Sequence, residues 1–342
     1  MNKDDQSKEA RSPTAPGDRP DRTRRKLLRG LGAVAGLGVT GAAAAVVYEG
    51  YSRGIVFRSG EGSVRAIKDY RVTLPAAVPR LVIARGEEPA ANVSAALSRM
   101  GGMERFVSRG DVVLVKPNVG FSRTPEMAAT TNPDLVAEVI RACRAAGAAE
   151  VIVSDCPGHN ADMAFSRSRI RQKAEEAGAR VVLPLDSHYL NATLPGFGTR
   201  PVLRPFIEVD KLINVPLVKH HARSKASIGM KNWFGVLGGY RGDLHDRLDD
   251  VIVALALLMR PTLTIVDATR VLLRNGPIGG NLNDVKRMDA VAVSLDPVAA
   301  DTWGVEQLGA IPEEMGWLKK AEARRLGTMD YRSLSPIEIE TG

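Results

Sequence analysis

The chain has 342 residues, with 47 Lys and Arg against 39 Asp and Glu, five His and only two Cys. Two cysteines cannot build a disulfide scaffold, and they fall short of the four thiolates that iron–sulfur clusters take, so no such cluster is expected. Nine of the 47 basic and five of the 39 acidic residues lie within residues 1–45, so the rest carries a net +4 rather than +8; without a basic block interleaved with aromatics, nucleic acid is not the expected partner.

Residues 1–22 are polar and rich in Asp, Lys, Arg, Ser and Pro, too poor in apolar surface to order themselves. Thr23-Arg24-Arg25-Lys26-Leu27-Leu28-Arg29 then precedes a weakly apolar run, Gly30 to Val47. Paired arginines before a Gly/Ala-rich apolar stretch read as a twin-arginine export signal, with small residues for cleavage at Ala42 to Ala45. The glycines and alanines make residues 30–47 a poor spanning helix, because a span takes about 20 strongly apolar residues. Membrane contact is therefore expected only through this signal, as an anchor if it stays uncleaved. The expected partner is the twin-arginine export machinery, and the expected location is periplasmic or otherwise extracytoplasmic. That machinery moves folded proteins, which suits a cofactor loaded in the cytoplasm; a divalent metal is the candidate.

Residues 46–79 read as a linker, with no hydrophobic period. From there short apolar runs alternate with helical ones. Strands are expected at Leu81–Ala84, Val112–Val115, Val151–Val153, Val181–Leu183, Lys211–Val215, Leu263–Asp267 and Ala290–Ser294. Helices are expected at Val93–Val107, from Asn132 to Ala146, at Ala161–Ala177, Asp249–Met259, Val298–Leu308 and Trp317–Arg325. Asn132 caps its helix, Pro133 starts it and Gly147 stops it. The tail at 331–342 is expected to be irregular. This rhythm implies βαβ units: an α/β fold with a mostly parallel sheet flanked by helices in Rossmann-like layers, one domain over residues 80–330.

Ligands in such sheets bind beyond the carboxyl ends of the strands. Lys116 and Asn118 follow one strand, Asp155 a second, Asn214 to Lys231 a third, Asp267 a fourth and Asp296 a fifth. The densest segment is Asn214 to Gly239, with Lys219-His220-His221 and, between Gly229 and Gly235, Lys231-Asn232. Glycines let backbone approach a ligand, histidine shuttles protons, and a partly buried lysine holds an oxyanion, acts as a base or forms a covalent adduct. Alternation in a strand turns one residue of the Lys-His-His run away from the site. His221, Lys231, His220 and Lys116 are the expected catalytic residues. Asn118, Asn232 and Asn214 are expected to bind substrate, Asp155, His245 and Asp267 to hold a metal, and Lys225 to be solvated. No GxGxxG, Walker, HExxH, GxSxG or paired CxxC pattern occurs.

The ordered set Val115-Lys116-Pro117-Asn118, Ser154-Asp155-x-Pro157-Gly158, Lys219-His220-His221, Gly229-Met230-Lys231-Asn232-Trp233-Phe234-Gly235, Ile265-Val266-Asp267, Gly276-Pro277 and Asp296-Pro297-Val298-Ala299-Ala300-Asp301 resembles the family called domain of unknown function 362, over roughly residues 80–330. Many relatives carry ferredoxin-like cysteine motifs, which this chain lacks. More locally, His221-x5-Ser227-Ile228-Gly229-Met230-Lys231 is similar to the H-x5-S-G-G-x-K motif of nickel-pincer lactate racemases, with Ile228 in place of a glycine. That resemblance implies His221 as acid/base group, Lys231 as the attachment lysine and His245 as a metal ligand. The expectation is an exported enzyme of isomerase, epimerase or redox type acting on a small anionic or polyhydroxylated molecule; the alternative is a non-catalytic periplasmic binding protein for a metal or an anionic ligand.

Overall fold

The computed structural model describes residues 63–342, so the expected export signal and residues 1–62 as a whole lie outside the described residues. The strands are β1 (Leu81–Arg85), β2 (Val112–Pro117), β3 (Glu150–Ser154), β4 (Arg180–Val182), β5 (Tyr189–Leu194), β6 (Gly198–Leu203), β7 (Lys211–Val215), β8 (Leu217–His221), β9 (Lys225–Ser227), β10 (Leu263–Leu272), β11 (Val285–Ser294) and β12 (Ile337–Glu340). The α-helices are α1 (Pro89–Arg99), α2 (Pro133–Ala145), α3 (Ala161–Arg167), α4 (Ile170–Glu176), α5 (Pro205–Glu208), α6 (Gly229–Asn232), α7 (Leu248–Leu258), α8 (Pro297–Gln307) and α9 (Gly316–Ala323). None of the described helices is long and apolar enough to cross a membrane.

The apolar runs form strands because alternate side chains feed two separate buried layers. Leu81, Ile83, Leu114, Ile152 and Leu212 pack with Ile252, Leu255, Trp303 and Leu318 of α7, α8 and α9. Val82, Val113, Val115, Val151, Val153 and Ile213 pack with Val93, Leu135, Ile140, Phe165 and Ile170 of α1 to α4. The main sheet runs β12-β1-β11-β10-β7-β2-β3-β4, with β8 beside β10 and β9 beside β8. β10-β7-β2-β3-β4 pair in parallel, as do β1 with β12 and β8 with β10. The fold is therefore α/β with a mostly parallel, mixed sheet between two helical layers.

Several expectations shift. The helix expected to run to Val107 ends at Arg99, because Gly101 and Gly102 adopt φ of 92° and 88°. The run Ala161–Ala177 breaks into α3 and α4 at Arg169, whose φ is 59°. The hairpins β5–β6 and β8–β9 were not anticipated. The tail expected to be irregular contains β12, whose Ile-Glu-Ile-Glu alternation suits a half-buried edge strand. Part of the expected linker is docked: Tyr70 is buried and donates its hydroxyl hydrogen to the Phe206 carbonyl. The largest change concerns β11, which lies antiparallel to both β10 and β1. Thr264 of β10 pairs with Ser294 of β11, so the carboxyl end of β11 lies at the opposite end of the sheet. Asp296 is thereby removed from the site; it caps α8 through the backbone N–H groups of Val298 and Ala299.

Candidate functional site

The site grows from the ends of β2, β3, β7 and β8. β2 ends by burying Lys116 completely. Its Nζ donates to Asp155 Oδ1 at 2.7 Å, Asn232 Oδ1 at 2.9 Å and the Pro117 carbonyl at 2.9 Å. Those bonds use all three ammonium hydrogens. Burial pulls its pKa down and the Asp155 carboxylate pulls it back up. Asp155 also accepts from the backbone N–H groups of Val119 and Cys156. Lys116 thus ties two strand ends together.

The three asparagines continue the same net. Asn118 donates to Asn232 Oδ1 at 3.0 Å, Asn232 to Asn214 Oδ1 at 2.9 Å, and Asn214 to the Gly229 carbonyl at 3.1 Å. Residues expected to bind substrate therefore frame the site by binding one another.

Beyond this frame lie two lysines. On β8, alternation sets Lys219 and His221 on one face and His220 on the other. Lys219 Nζ donates to Asn118 Oδ1 at 3.0 Å and the Ala129 carbonyl at 2.6 Å, and lies 5.0 Å from the centre of the Phe121 ring. Burial lowers its pKa to about 7. Lys231 stands on α6 and is 7% exposed. Asp301 of α8 holds this turn, accepting from Gly229 N at 2.7 Å and Met230 N at 2.9 Å. Only glycine fits there, because a Cβ at position 229 would lie 2.6 Å from Asp301 Oδ1. Lys231 Nζ sits 3.7 Å from the centre of the Phe234 ring and has no hydrogen-bond or ion-pair partner among the described residues. Burial, then the charges of Arg241 and Lys219, lower its pKa to about 7.

Two histidines share this neighbourhood. His221 Nδ1 accepts from the backbone N–H groups of Arg223 and Ser224, so the neutral ring carries its proton on Nε2. Its pKa is held well below 6.5 by burial and then by Lys231 and Lys219. His245 Nδ1 lies 3.0 Å from the Arg241 carbonyl, which only accepts, so the basic nitrogen of the neutral ring is Nε2. Burial, then Lys231, lowers its pKa to about 4. At pH 7 the two rings are neutral and of opposite tautomer.

Other expected residues lie apart. His220 Nδ1 accepts from Gly276 N and so supports the 274–280 loop from the far face of β8. Asp267 accepts from Asn132 N at 2.7 Å and from Thr269, steadying the start of α2. Asp155, His245 and Asp267 are each engaged separately, and among the described residues no group of three His, Cys, Asp or Glu side chains is arranged to hold a metal ion. The donor set expected for a metal therefore does not fit one. Sequence reasoning gave no role to Asp301, Phe234 and Arg241. Arg241 donates to the Cys156, Phe234 and Pro157 carbonyls and pins the two loops together. The signal for Asp301 was present in the run Asp296–Asp301.

What fold and site define together is an α/β protein with a lysine-rich, histidine-flanked cluster of buried side chains at the strand ends. Residues 113–306 match the family described as "Domain of unknown function (DUF362)", and the chain belongs to that family. It is similar to the thylakoid-associated protein sll1697 of Synechocystis sp., 27% identical over 228 residues, which are 62% of this chain and 67% of that protein. Among solved structures it is similar to the lactate racemase apoprotein of Thermoanaerobacterium thermosaccharolyticum, with TM-score 0.40, 14% identity, and coverage of 71% of this chain and 60% of that one. It is also similar to a protein from Thermotoga maritima, with TM-score 0.35, 10% identity, and coverage of 70% and 60%. The chain thus spans 60% of the length of each solved structure.

Proposed function

We propose that this protein is an enzyme of isomerase or epimerase type that binds a small anionic, or anionic and polyhydroxylated, substrate at Lys219 and Lys231. The observation that carries this reading is the charge balance of the buried site. Lys116, Lys219 and Lys231 are all buried there, and Asp155 is the carboxylate that bears on Lys116 and Lys219, while none bears on Lys231 among the described residues. Asp155 is committed to Lys116. Burying an ammonium without a counter-charge is costly, and a bound anion removes that cost. The histidines add chemistry to binding. His245 Nε2 accepts a proton from the substrate and gives it back, while His221 Nε2–H donates a hydrogen bond to the oxygen on which charge develops, as neutral imidazoles of opposite tautomer can near neutral pH. No step is assigned to a metal.

The test combines binding with proton exchange. Small hydroxy and oxo acids should raise the melting temperature of the full chain, and in deuterated water the bound acid should gain deuterium at the carbon beside its oxygen function. His221→Gln and His245→Gln should keep the melting shift and lose the exchange. A melting shift without exchange for every acid would leave a binding protein for anions. If no anion moves the melting temperature, the site reading fails. We also propose export through Arg24-Arg25; replacing both by lysine should leave the chain in the cytoplasm, and unaltered export would defeat the idea.

A further inference from the structure

We propose that Lys231 condenses with the carbonyl carbon of its substrate to form an imine, which narrows the substrate class to small oxo acids and anionic aldehydes and rests on the anion-site reading above. Three features of the structure lead there. First, Lys116 spends its ammonium hydrogens on three acceptors and Lys219 donates to two, whereas Lys231 Nζ has no such partner among the described residues. Its reactive nitrogen is uncommitted. Second, the side chain is buried and its Nζ rests against the Phe234 ring, so the amine is held in place and little solvated. Third, the turn that carries it is clamped by Asp301, which fixes the backbone from which the lysine reaches.

An imine-forming lysine must be unprotonated at working pH. The groups that act on Lys231 are cationic or neutral: Arg241, Lys219 of β8, and the two histidines. Burial, then the charges of Arg241 and Lys219, holds its pKa at about 7, so a large share of the amine is neutral at pH 7. By contrast Lys225 is exposed and paired with Glu314.

The step balances without an oxidant. The neutral amine adds to the carbonyl carbon: a C–N bond forms as the C=O π bond opens, and one amine proton reaches the oxygen through His221 Nε2, which gives up a proton and takes one back. The second amine proton then joins the hydroxyl, the C–O bond breaks, and the hydroxyl leaves as water. One carbonyl compound and one amine give one imine and one water. The acidic group of the substrate faces the cations that bear on Lys231. The imine draws electrons from the neighbouring carbon, which makes the proton that His245 removes more acidic.

The full chain is incubated separately with pyruvate, glyoxylate and pyridoxal 5′-phosphate, reduced with borohydride, and examined by intact mass and peptide mapping. The expected result is one stable adduct per chain on Lys231 with at least one of the three. Lys231 should react faster than the exposed Lys225 and Lys286. Lys231→Arg should bind the same compound, as a melting shift, and give no adduct. A melting shift with no adduct at Lys231 from any compound would overturn the imine and leave the anion site intact. Labelling of Lys225 and Lys286 at the same rate as Lys231 would overturn it too. The absence of any melting shift would instead overturn the anion site.

Discussion

At the residue scale, two lysines of the same chemical type play different parts because their surroundings differ. Lys116 is a saturated donor against Asp155, while Lys231 is a buried cation with no acceptor among the described residues. Removing one partner of a buried pair strands the other charge, at about 3–5 kcal/mol, whereas removing an unpaired charge strands nothing. Lys116→Met should therefore lower stability by about that amount, and Lys231→Met should leave it unchanged or raised while anion binding is lost. Denaturant melts of both variants decide this; comparable destabilisation by the two would contradict the assignment. The sequence marked Lys116, His221 and Lys231 as candidate catalytic residues. It did not show which of them is spent internally, because that depends on Asn118 after β2, Asn214 of β7 and Asn232 of α6 meeting in space.

At the element scale, α6 is too short to hold itself, and Asp301 of α8 supplies acceptors for its first N–H groups. The same carboxylate is so buried that its pKa rises to about 7. Asp301→Ala should cost about 1–3 kcal/mol through two unsatisfied N–H groups, and should blunt anion binding although residue 301 touches no ligand. Normal affinity in a variant shown to have lost that stability would contradict a positioning role. Long parallel strands and the capped helix α2 were legible because an apolar run with a turn signal is a local pattern. The hairpins β5–β6 and β8–β9 were not, because short strands with mixed polarity leave little local trace. The reversal of β11 was invisible for another reason: an apolar run reads the same in either direction. It took one of the five strand ends read as converging out of the site and set Asp296 at the far end.

At the scale of the whole molecule, the buried lysines link stability to pH. Lys219 and Lys231 titrate near 7 in the fold and near 10.5 when exposed, so above pH 7 the unfolded chain binds more protons. Stability should therefore rise with pH from about 7 towards 9. Above that range Cys143 and Tyr70, whose pKa values burial pushes upward, act in the opposite sense. A saturating anion should flatten the rise by keeping Lys231 charged; urea midpoints across this window with and without the anion measure both effects, and a fall in midpoint from pH 7 to 9 would contradict the linkage. The sheet also has an outer border to defend. β12 lies along β1 as its last strand, and its Glu338 and Glu340 alternate with Ile337 and Ile339. A neutral, flat strand there would invite pairing with the same strand of another molecule. Two carboxylates spaced along this border would repel their counterparts in any such ribbon, so the last strand acts as a guard against fibrous self-association, and neutralising both glutamates should expose that tendency first.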